Sequence, residues 1–343
     1  MKQETKKLRI AIIGWGIISD IHAQAILSSQ YCELGCVYSS TDDKNNKIKS
    51  NYSVQVFNNY DELLKSDLVD AVAICTPSGN HLDFAIKAAN AGKCIIIEKP
   101  IEVTPARAKE IIEACNKNNV TLSVIYQNRF SDAVIRIKDI LNQNKLGKIF
   151  HASGYVKWYR SQGYYDSGKW RGTIELDGGG ALINQAIHTL DLLIYLVGDI
   201  KSVAGFTGAF THERIEVEDS AVALLKYENG AIGVFEASTS IKPAQPRRIE
   251  IHGENGTIIL NGDLLTVNID GEREVENFGR HKTGAGLTPS GYDIMLHQRQ
   301  YDEIAASIQN DTTPIINGAE SIKSLAVVNA IYESNRTGKI IDI

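Results

Sequence analysis

LRIAIIGWGIISDIHAQAIL, Leu8 to Leu27, contains an apolar strand, a glycine turn and the first turns of a helix in one stretch. Leu8 to Ile13 is a short apolar run of the kind that fills the middle of a sheet. After the turn, Ile18, Ile21, His22, Ala25 and Ile26 recur at helical spacing. Gly14 permits a tight turn between the two elements, and Gly16 permits close approach of backbone to a pyrophosphate resting on the helix N-terminus, where Ile17 and Ile18 present their N–H groups. Ser19 takes the place of the third glycine and is still small enough for close packing. The pattern predicts a dinucleotide site for NAD(P). The end of the second strand, VYSST, carries Ser39 and Ser40 where an NAD binder usually has an acid, and Asp42, Asp43, Lys44 and Lys47 follow. No Arg follows to hold a 2′-phosphate, so NAD and NADP both stay open.

Downstream the alternation continues. CELGCVYSS, VQVF, DAVAICTP, KCIIIEKP and TLSVIYQN read as strands. HLDFAIKAANAG and TPARAKEIIEACNKNN read as helices, the second with Thr104 as N-cap and Pro105 at its first position. Continuous apolar strands between helices predict a parallel sheet covered on both faces, an α/β Rossmann domain over residues 1–127. From Asn128 the pattern changes. A long amphipathic helix is predicted over Ser131 to Asn144, followed by strands of period two with the hairpin signals ENG and GENG, and two closing helices. Residues 128–343 therefore read as an α+β domain on an open, mostly antiparallel sheet. Gly279 to Gly291 reads as a long loop.

The totals agree with two globular domains. The chain has 343 residues and a formal net charge of −5, with Lys and Arg scattered among acids. No basic block points to nucleic acid. No segment approaches the roughly 18 apolar residues of a membrane helix, and the charged N-terminus lacks the apolar core of a signal peptide. The five cysteines form no CxxC pair. Buried thiols in a cytoplasmic protein are expected, with neither disulfide framework nor metal centre.

Glu98-Lys99-Pro100 closes the fifth strand, at the carboxyl end where ligands of an open parallel sheet bind. A lysine there, beside a nicotinium charge, is expected to exchange a proton with a substrate hydroxyl. Further on, DGGGALINQAIHTLDLL places Asn184, Gln185 and His188 in an apolar run after Gly178, Gly179 and Gly180. Asn184 and His188 stand four apart, so one helix face holds both.

Together the glycine turn, CTPSGNH, EKP and GGGALINQAIHTLDLL resemble the Gfo/Idh/MocA oxidoreductase family over nearly the whole chain. The resemblance implies an NAD(P)-dependent enzyme acting on sugars, inositols or related polyols. It implies Lys99 and His188 as the reactive pair. Thr76, Pro77, Asn80 and His81 match the loop around the cofactor, with Glu98, and Trp170 and Arg171 match a WR motif near it. The three glycines would let backbone pass close to the nicotinamide. Many members carry Asp where this chain has Asn184. In that respect KWYRSQGYYDSGKWRGT followed by GGGALINQAIHT looks most similar to the branch that oxidises the 3-hydroxyl of UDP-N-acetylglucosaminuronic acid. Tyr159, Arg160, Gln162, Tyr164 and Tyr165, with Asn184 and Gln185, would then face a charged nucleotide sugar. An inositol or free-sugar dehydrogenase or reductase is the alternative within the family, and a non-catalytic NAD(P)-sensing protein the alternative outside it. The family implies a homodimer or homotetramer.

Overall fold

The computed structural model describes residues 6–279 and 294–343, and divides into two compact units. The first contains described residues 6–102, 106–127 and 294–322. The second contains described residues 103–105, 128–279 and 323–343. The loop predicted at Gly279 to Gly291 lies outside the described residues beyond Gly279 itself.

The first unit is a six-stranded parallel sheet. Its strands are β1 (Leu8–Ile13), β2 (Cys32–Tyr38), β3 (Gln55–Phe57), β4 (Ala71–Ile74), β5 (Cys94–Glu98) and β6 (Leu122–Ile125), in the order β3-β2-β1-β4-β5-β6. Order reverses beside β1, which makes the end of that strand the switch point of a doubly wound fold. Helices α1 (Ile17–Ser28), α2 (Asp42–Tyr52), α3 (Tyr60–Lys65), α4 (His81–Asn90) and α5 (Pro105–Lys117) connect the strands. Every residue of β4 is buried, as an interior strand of a covered sheet must be.

Sequence order alone groups the closing helices with the second domain. The structure instead packs one of them, Met295–Gln309, into the first unit. Tyr301, Ile304 and Ala305 enter the same core as Ile10, Ile12, Ala23 and Ile26. The helix is held there by polar ties as well: Gln300 Nε2 donates to the Val124 carbonyl at 2.8 Å, and Gln298 Nε2 to that of Ser28 at 3.0 Å. Burying this apolar stripe on the sheet outweighs any preference for the nearer part of the chain.

Among the described residues the second unit carries nine strands: β7 (Ile149–Lys157), β8 (Ile200–Gly208), β9 (Ser220–Tyr227), β10 (Ile232–Ser238), β11 (Arg248–Gly253), β12 (Gly256–Asn261), β13 (Leu264–Ile269), β14 (Glu272–Asn277) and β15 (Ile341–Asp342). Pairing is antiparallel throughout except between β7 and β10. β14 was not expected. Its charged sequence, EREVEN, shows little apolar alternation, but it completes the edge against β13.

Helices α6 (Asp132–Asn142), with Ser131 as its N-cap, α7 (Gln162–Asp166) and α8 (Ile187–Val197) belong to this unit. α8 packs on one face of the sheet, and Gly154 of β7 has no side chain because Leu193 and Phe235 close on it. The other face is open. In β9, Ala221, Ala223 and Leu225 point inward while Val222 and Leu224 are exposed.

Candidate active site

In the first unit the predicted turn forms as expected. Gly14 has φ +86°, and a side chain there would meet Thr76 Cγ2 at 3.0 Å. Its N–H donates to the Tyr38 carbonyl, which joins the turn to β2. Gly16 differs. Its backbone is extended, and an added Cβ would find no atom within 4 Å. Gly16 therefore keeps space open in front of the α1 N-terminus. The Gly16 N–H is held by Ser19 Oγ at 3.0 Å, which accounts for serine at the third position. Ile17 is 58% exposed and Ile18 half-buried at the head of the helix, where first-turn N–H groups lack intrahelical acceptors. An open cradle before a helix N-terminus fits a pyrophosphate. At the end of β2, Ser39 is buried and Ser40 exposed.

The loops after β4 and β5 are tied together. Pro77 and Asn80 form a short turn, and His81 is buried with its ring nitrogens 3.0 Å from the carbonyls of Pro100 and Thr76. The geometry makes His81 a clamp between the two loops rather than a residue that meets a ligand. Glu102 and Arg107 add to the clamp: Arg107 donates to Glu102 Oε1 and to the Gly79 carbonyl, both at 2.8 Å.

Behind Lys99 stands a network that sequence reading missed. His22 is buried, with Nδ1 2.6 Å from Tyr301 Oη and Nε2 2.7 Å from Glu98 Oε1. Glu98 Oε2 accepts from the Lys99 N–H at 3.1 Å. Burial opposes the charge on Glu98, but the His22 hydrogen bond and the charges of His22, His297 and Lys99 outweigh it and lower its pKa to about 2. Burial likewise opposes charge on His22, and Cys75, Tyr301 and Glu98 outweigh it and hold it well above the ordinary range. Ligand atoms of His22, Glu98 and His297 lie within 4.8 Å of one another. The hydrogen bonds account for His22 and Glu98 without an ion. The signal for this network was His22, an imidazole on the inner stripe of α1.

In the second unit, Asn184 and His188 are both half-buried, flanked by buried Ile183 and Ile187. Their stretch opens as a π-helical turn over Ala181–Ala186 before α8 begins. Asn184 Nδ2 donates to Asp177 Oδ1 at 2.5 Å, and Asp177 Oδ2 accepts from the Gly172 N–H at 2.8 Å. A carboxylate thus stands next to Asn184. The three glycines have a reason inside the unit. A Cβ on Gly178 would meet Val103, one on Gly179 would meet Tyr332 Oη at 2.1 Å, and one on Gly180 would meet the Glu218 carbonyl oxygen at 1.7 Å. The Glu218 carboxylate accepts from the N–H groups of Gly180 (2.9 Å) and Leu182 (2.8 Å) and from Tyr332 Oη (3.1 Å). Burial raises its pKa to about 7 against these donors. Glu218 and Tyr332 gave no sequence signal beyond an acid in VEDS, because they reach the turn from far along the chain, Glu218 from the loop before β9 and Tyr332 from the helix Gly318–Thr337.

Arg160, Tyr164, Arg171 and Gln185 form one connected cluster. Arg160 Nη2 donates to Gln185 Oε1 at 2.8 Å, Gln185 Nε2 to Tyr164 Oη at 3.0 Å, and Arg171 Nη1 to Tyr164 Oη at 2.6 Å. The Arg171 guanidinium lies over the rings of Tyr164 and Trp170, at 4.3 and 4.5 Å from their centroids. Arg171, assigned to the cofactor by sequence, thus contacts the tyrosine grouped with the substrate, and Trp170 packs against Arg171. Gln162 does not join the cluster. Its amide is taken up by Asp166 and by the backbone of Glu213. Tyr159 stacks under Lys242, 4.2 Å from ring centroid to Nζ, and Tyr165 Oη hydrogen-bonds Thr239 Oγ1 at 2.8 Å.

Sequence comparison matches residues 8–126 to the Gfo/Idh/MocA oxidoreductase family with NAD-binding Rossmann fold, and residues 134–259 to the family's C-terminal domain. The chain is 31% identical to the WlbA dehydrogenase of Bordetella pertussis, solved in complex with NADH and UDP-GlcNAcA, with a TM-score of 0.86 over 98% of this chain and 99% of that one. The chain belongs to the Gfo/Idh/MocA family. It is an oxidoreductase whose first unit is an NAD-binding Rossmann domain. Other family relatives include the scyllo-inositol 2-dehydrogenase of Bacillus subtilis, 26% identical over 97% of this chain and 95% of the relative. The D-xylose 1-dehydrogenase of Haloarcula marismortui is 26% identical over 96% and 91%. Among the described residues, no helix is long and apolar enough to cross a membrane.

Proposed function

We propose that this protein is a cytoplasmic NAD-dependent dehydrogenase of an acidic nucleotide sugar, acting at C3 of a UDP-N-acetylhexosaminuronate. The observation that carries the reading is the Arg160–Gln185–Tyr164–Arg171 cluster. It offers two guanidinium groups on aromatic supports, a suitable arrangement for a charged, ring-bearing substrate. The resemblance to an enzyme crystallised with NADH and UDP-GlcNAcA supports both cofactor and substrate class.

The cofactor would sit on the α1 N-terminus, held by the turn at Gly14 and Gly16, with Ser39 and Ser40 toward its ribose. Bound nicotinamide supplies the hydride acceptor. Lys99 and His188 are assigned the proton: as the substrate C–H leaves as hydride, the hydroxyl proton passes to this pair and a carbonyl forms. Asn184 cannot act as a base and is assigned to orient substrate or His188, braced by Asp177. The His22–Glu98 pair fixes the backbone from which Lys99 projects.

The exposed apolar row of Phe206, Val222, Leu224 and Ile232 on the open sheet face supports a homo-oligomer, a dimer or a tetramer. Sedimentation equilibrium checks it, and a monomer at micromolar concentration would refute it.

The test is reduced-nicotinamide formation with NAD and NADP against UDP-N-acetylglucosaminuronate, UDP-N-acetylglucosamine, myo-inositol and simple aldoses. Signal with the acidic nucleotide sugar and NAD is expected. Signal with free polyols alone would favour the inositol or sugar dehydrogenase reading, which the B. subtilis relative supports. Tight cofactor binding with no turnover on any substrate would favour a sensor. Lys99→Met should lower kcat by roughly 100-fold or more with the NADH Kd unchanged, and near-full turnover would refute the assignment.

A further inference from the structure

Three buried nitrogen atoms in the second unit lack a hydrogen-bond partner among the described residues: Trp158 Nε1, Arg160 Nε and Arg247 Nε. All three are N–H groups that donate and cannot accept. Only an acceptor can satisfy them, and two of the three carry positive charge. Buried donors are satisfied in the great majority of cases, so such a cluster asks for an explanation.

The three lie around one end of the sheet. Arg248 of β11 pairs with Tyr155 of β7, so Arg247 faces Val156 across the same two strands. Side-chain alternation puts Arg247 on the face of the buried residues Ile249 and Ile251. Val156 is buried on that face too, and Trp158 follows it two residues on. The Arg160 guanidinium lies 5.7 Å from the centroid of the Trp158 ring. Backbone bonds pin this end: the Ile241 N–H donates to the Trp158 carbonyl at 3.0 Å, and the Gln245 N–H to that of Lys157 at 2.8 Å.

Arg247 is the decisive residue. It is only 6% exposed, and no carboxylate hydrogen-bonds its side chain among the described residues. Burial pulls its pKa below the ordinary guanidinium range, and Asp263 opposes this only through space. A buried cation without a hydrogen-bonded counter-ion is strongly unfavourable in an ordinary core, where an apolar residue would serve better. The cost is explained if the counter-ion arrives with a ligand.

We propose that Trp158, Arg160 and Arg247 form an anion subsite that takes an acidic oxygen group of the substrate, a carboxylate or a phosphate. The proposal rests on the reading of the substrate as an acidic nucleotide sugar, and adds Trp158 and Arg247 to the residues that recognise it. Arg160 links the subsite to the cluster above, since its Nη2 already holds Gln185.

The test uses the full chain with NADH bound. Inorganic phosphate, UDP, glucuronate, UDP-N-acetylglucosamine and UDP-N-acetylglucosaminuronate are titrated calorimetrically into wild type, Arg247→Met and Trp158→Phe. Trp158→Phe keeps a ring and removes only the N–H. Both variants should weaken binding of the acidic probe by about 10- to 100-fold, with the NADH Kd unchanged. Loss confined to glucuronate and the uronate sugar identifies a carboxylate. Loss shared by phosphate and UDP identifies a phosphate. Without probe, Arg247→Met should melt no lower than wild type, because it removes an uncompensated buried charge.

Wild-type affinity for every probe in both variants would overturn the subsite, as would failure of every anion to bind wild type. The two readings fail separately. Oxidation of the uronate sugar with unaltered KM in the variants refutes the subsite and leaves the activity. Arg247-dependent binding of phosphate or glucuronate, with no oxidation of any nucleotide sugar, refutes the substrate and leaves the subsite.

Discussion

Two glycine turns mark this molecule, and they exist for opposite reasons. At Gly16 of the first turn the backbone faces outward: a side chain there would stand in open space. Around Gly178 to Gly180 it faces inward: side chains there would strike Val103, Tyr332 and the backbone of Glu218. Gly16 leaves space bare in front of a helix N-terminus, whereas Gly178 to Gly180 leave space for their own chain. In sequence they look alike, because a missing side chain does not say what takes its place. The second turn carries a functional consequence all the same. By wrapping the Glu218 carboxylate it sets the start of the π-helical turn that leads into Asn184 and His188.

Alanine at each turn separates the two. Gly180→Ala places a methyl 1.7 Å from a backbone oxygen, which no side-chain rotation relieves. The loss should reach about 4 kcal/mol or more, the range of the most damaging single substitutions. Urea denaturation measures it, and a loss below about 1 kcal/mol would show that the inward reading is wrong.

The carboxylates behind the two regions extend the contrast to pH. Glu98 is paired, and its folded pKa is lowered from 4.5 to about 2. The stability it contributes is complete above pH 4.5 and is lost as pH falls through about 2. Glu218 faces only neutral donors, and its folded pKa is raised from 4.5 to about 7. The folded state then holds the proton more tightly, so the contribution of Glu218 is complete below pH 4.5 and is lost as pH rises through about 7. Each limb amounts to about 3 kcal/mol at most. Denaturation from pH 3 to 8 should show stability falling on the alkaline side in wild type. Glu218→Gln should flatten that limb and lower stability overall by about 1–2 kcal/mol, because the amide turns one donor toward an N–H. An alkaline limb of the same slope in both proteins would remove Glu218 from the account.

Much of the first unit was legible because local signals and tertiary contacts agree there. Strand, turn and helix succeed one another within twenty residues, and Ser19, read only as small, also caps its own helix. Less of the second unit was legible. Arg160, Tyr164 and Gln185 were singled out together, and the structure connects them. The family resemblance grouped Gln162 with them, yet its helix α7 turns its amide toward Glu213. Glu218, Tyr332 and Arg247 stayed invisible, since the residues around each come from far away in the chain. Met295–Gln309 was misplaced for the same reason: its apolar stripe does not name the sheet it covers.

The smallest expected effect on stability falls at Gly16, and it is the most informative for function. The backbone there is extended, so alanine fits without strain, and nothing stands within 4 Å of the new methyl. Alanine is a poorer N-cap than glycine, which costs a few tenths of a kcal/mol or more. Reduced freedom of the unfolded chain offsets a similar amount. Gly16→Ala should therefore melt within about 0.5 kcal/mol of wild type. The methyl nevertheless occupies the space where a pyrophosphate would approach the helix N–H groups. The NADH Kd should rise by about tenfold or more, the effect of one lost charge-assisted hydrogen bond. Fluorescence titration of NADH measures it beside the melt. A stable variant with weakened NADH binding is what a turn left bare for a ligand requires. A variant that binds NADH as wild type does, or one that loses stability as Gly180→Ala does, would erase the distinction between the two turns.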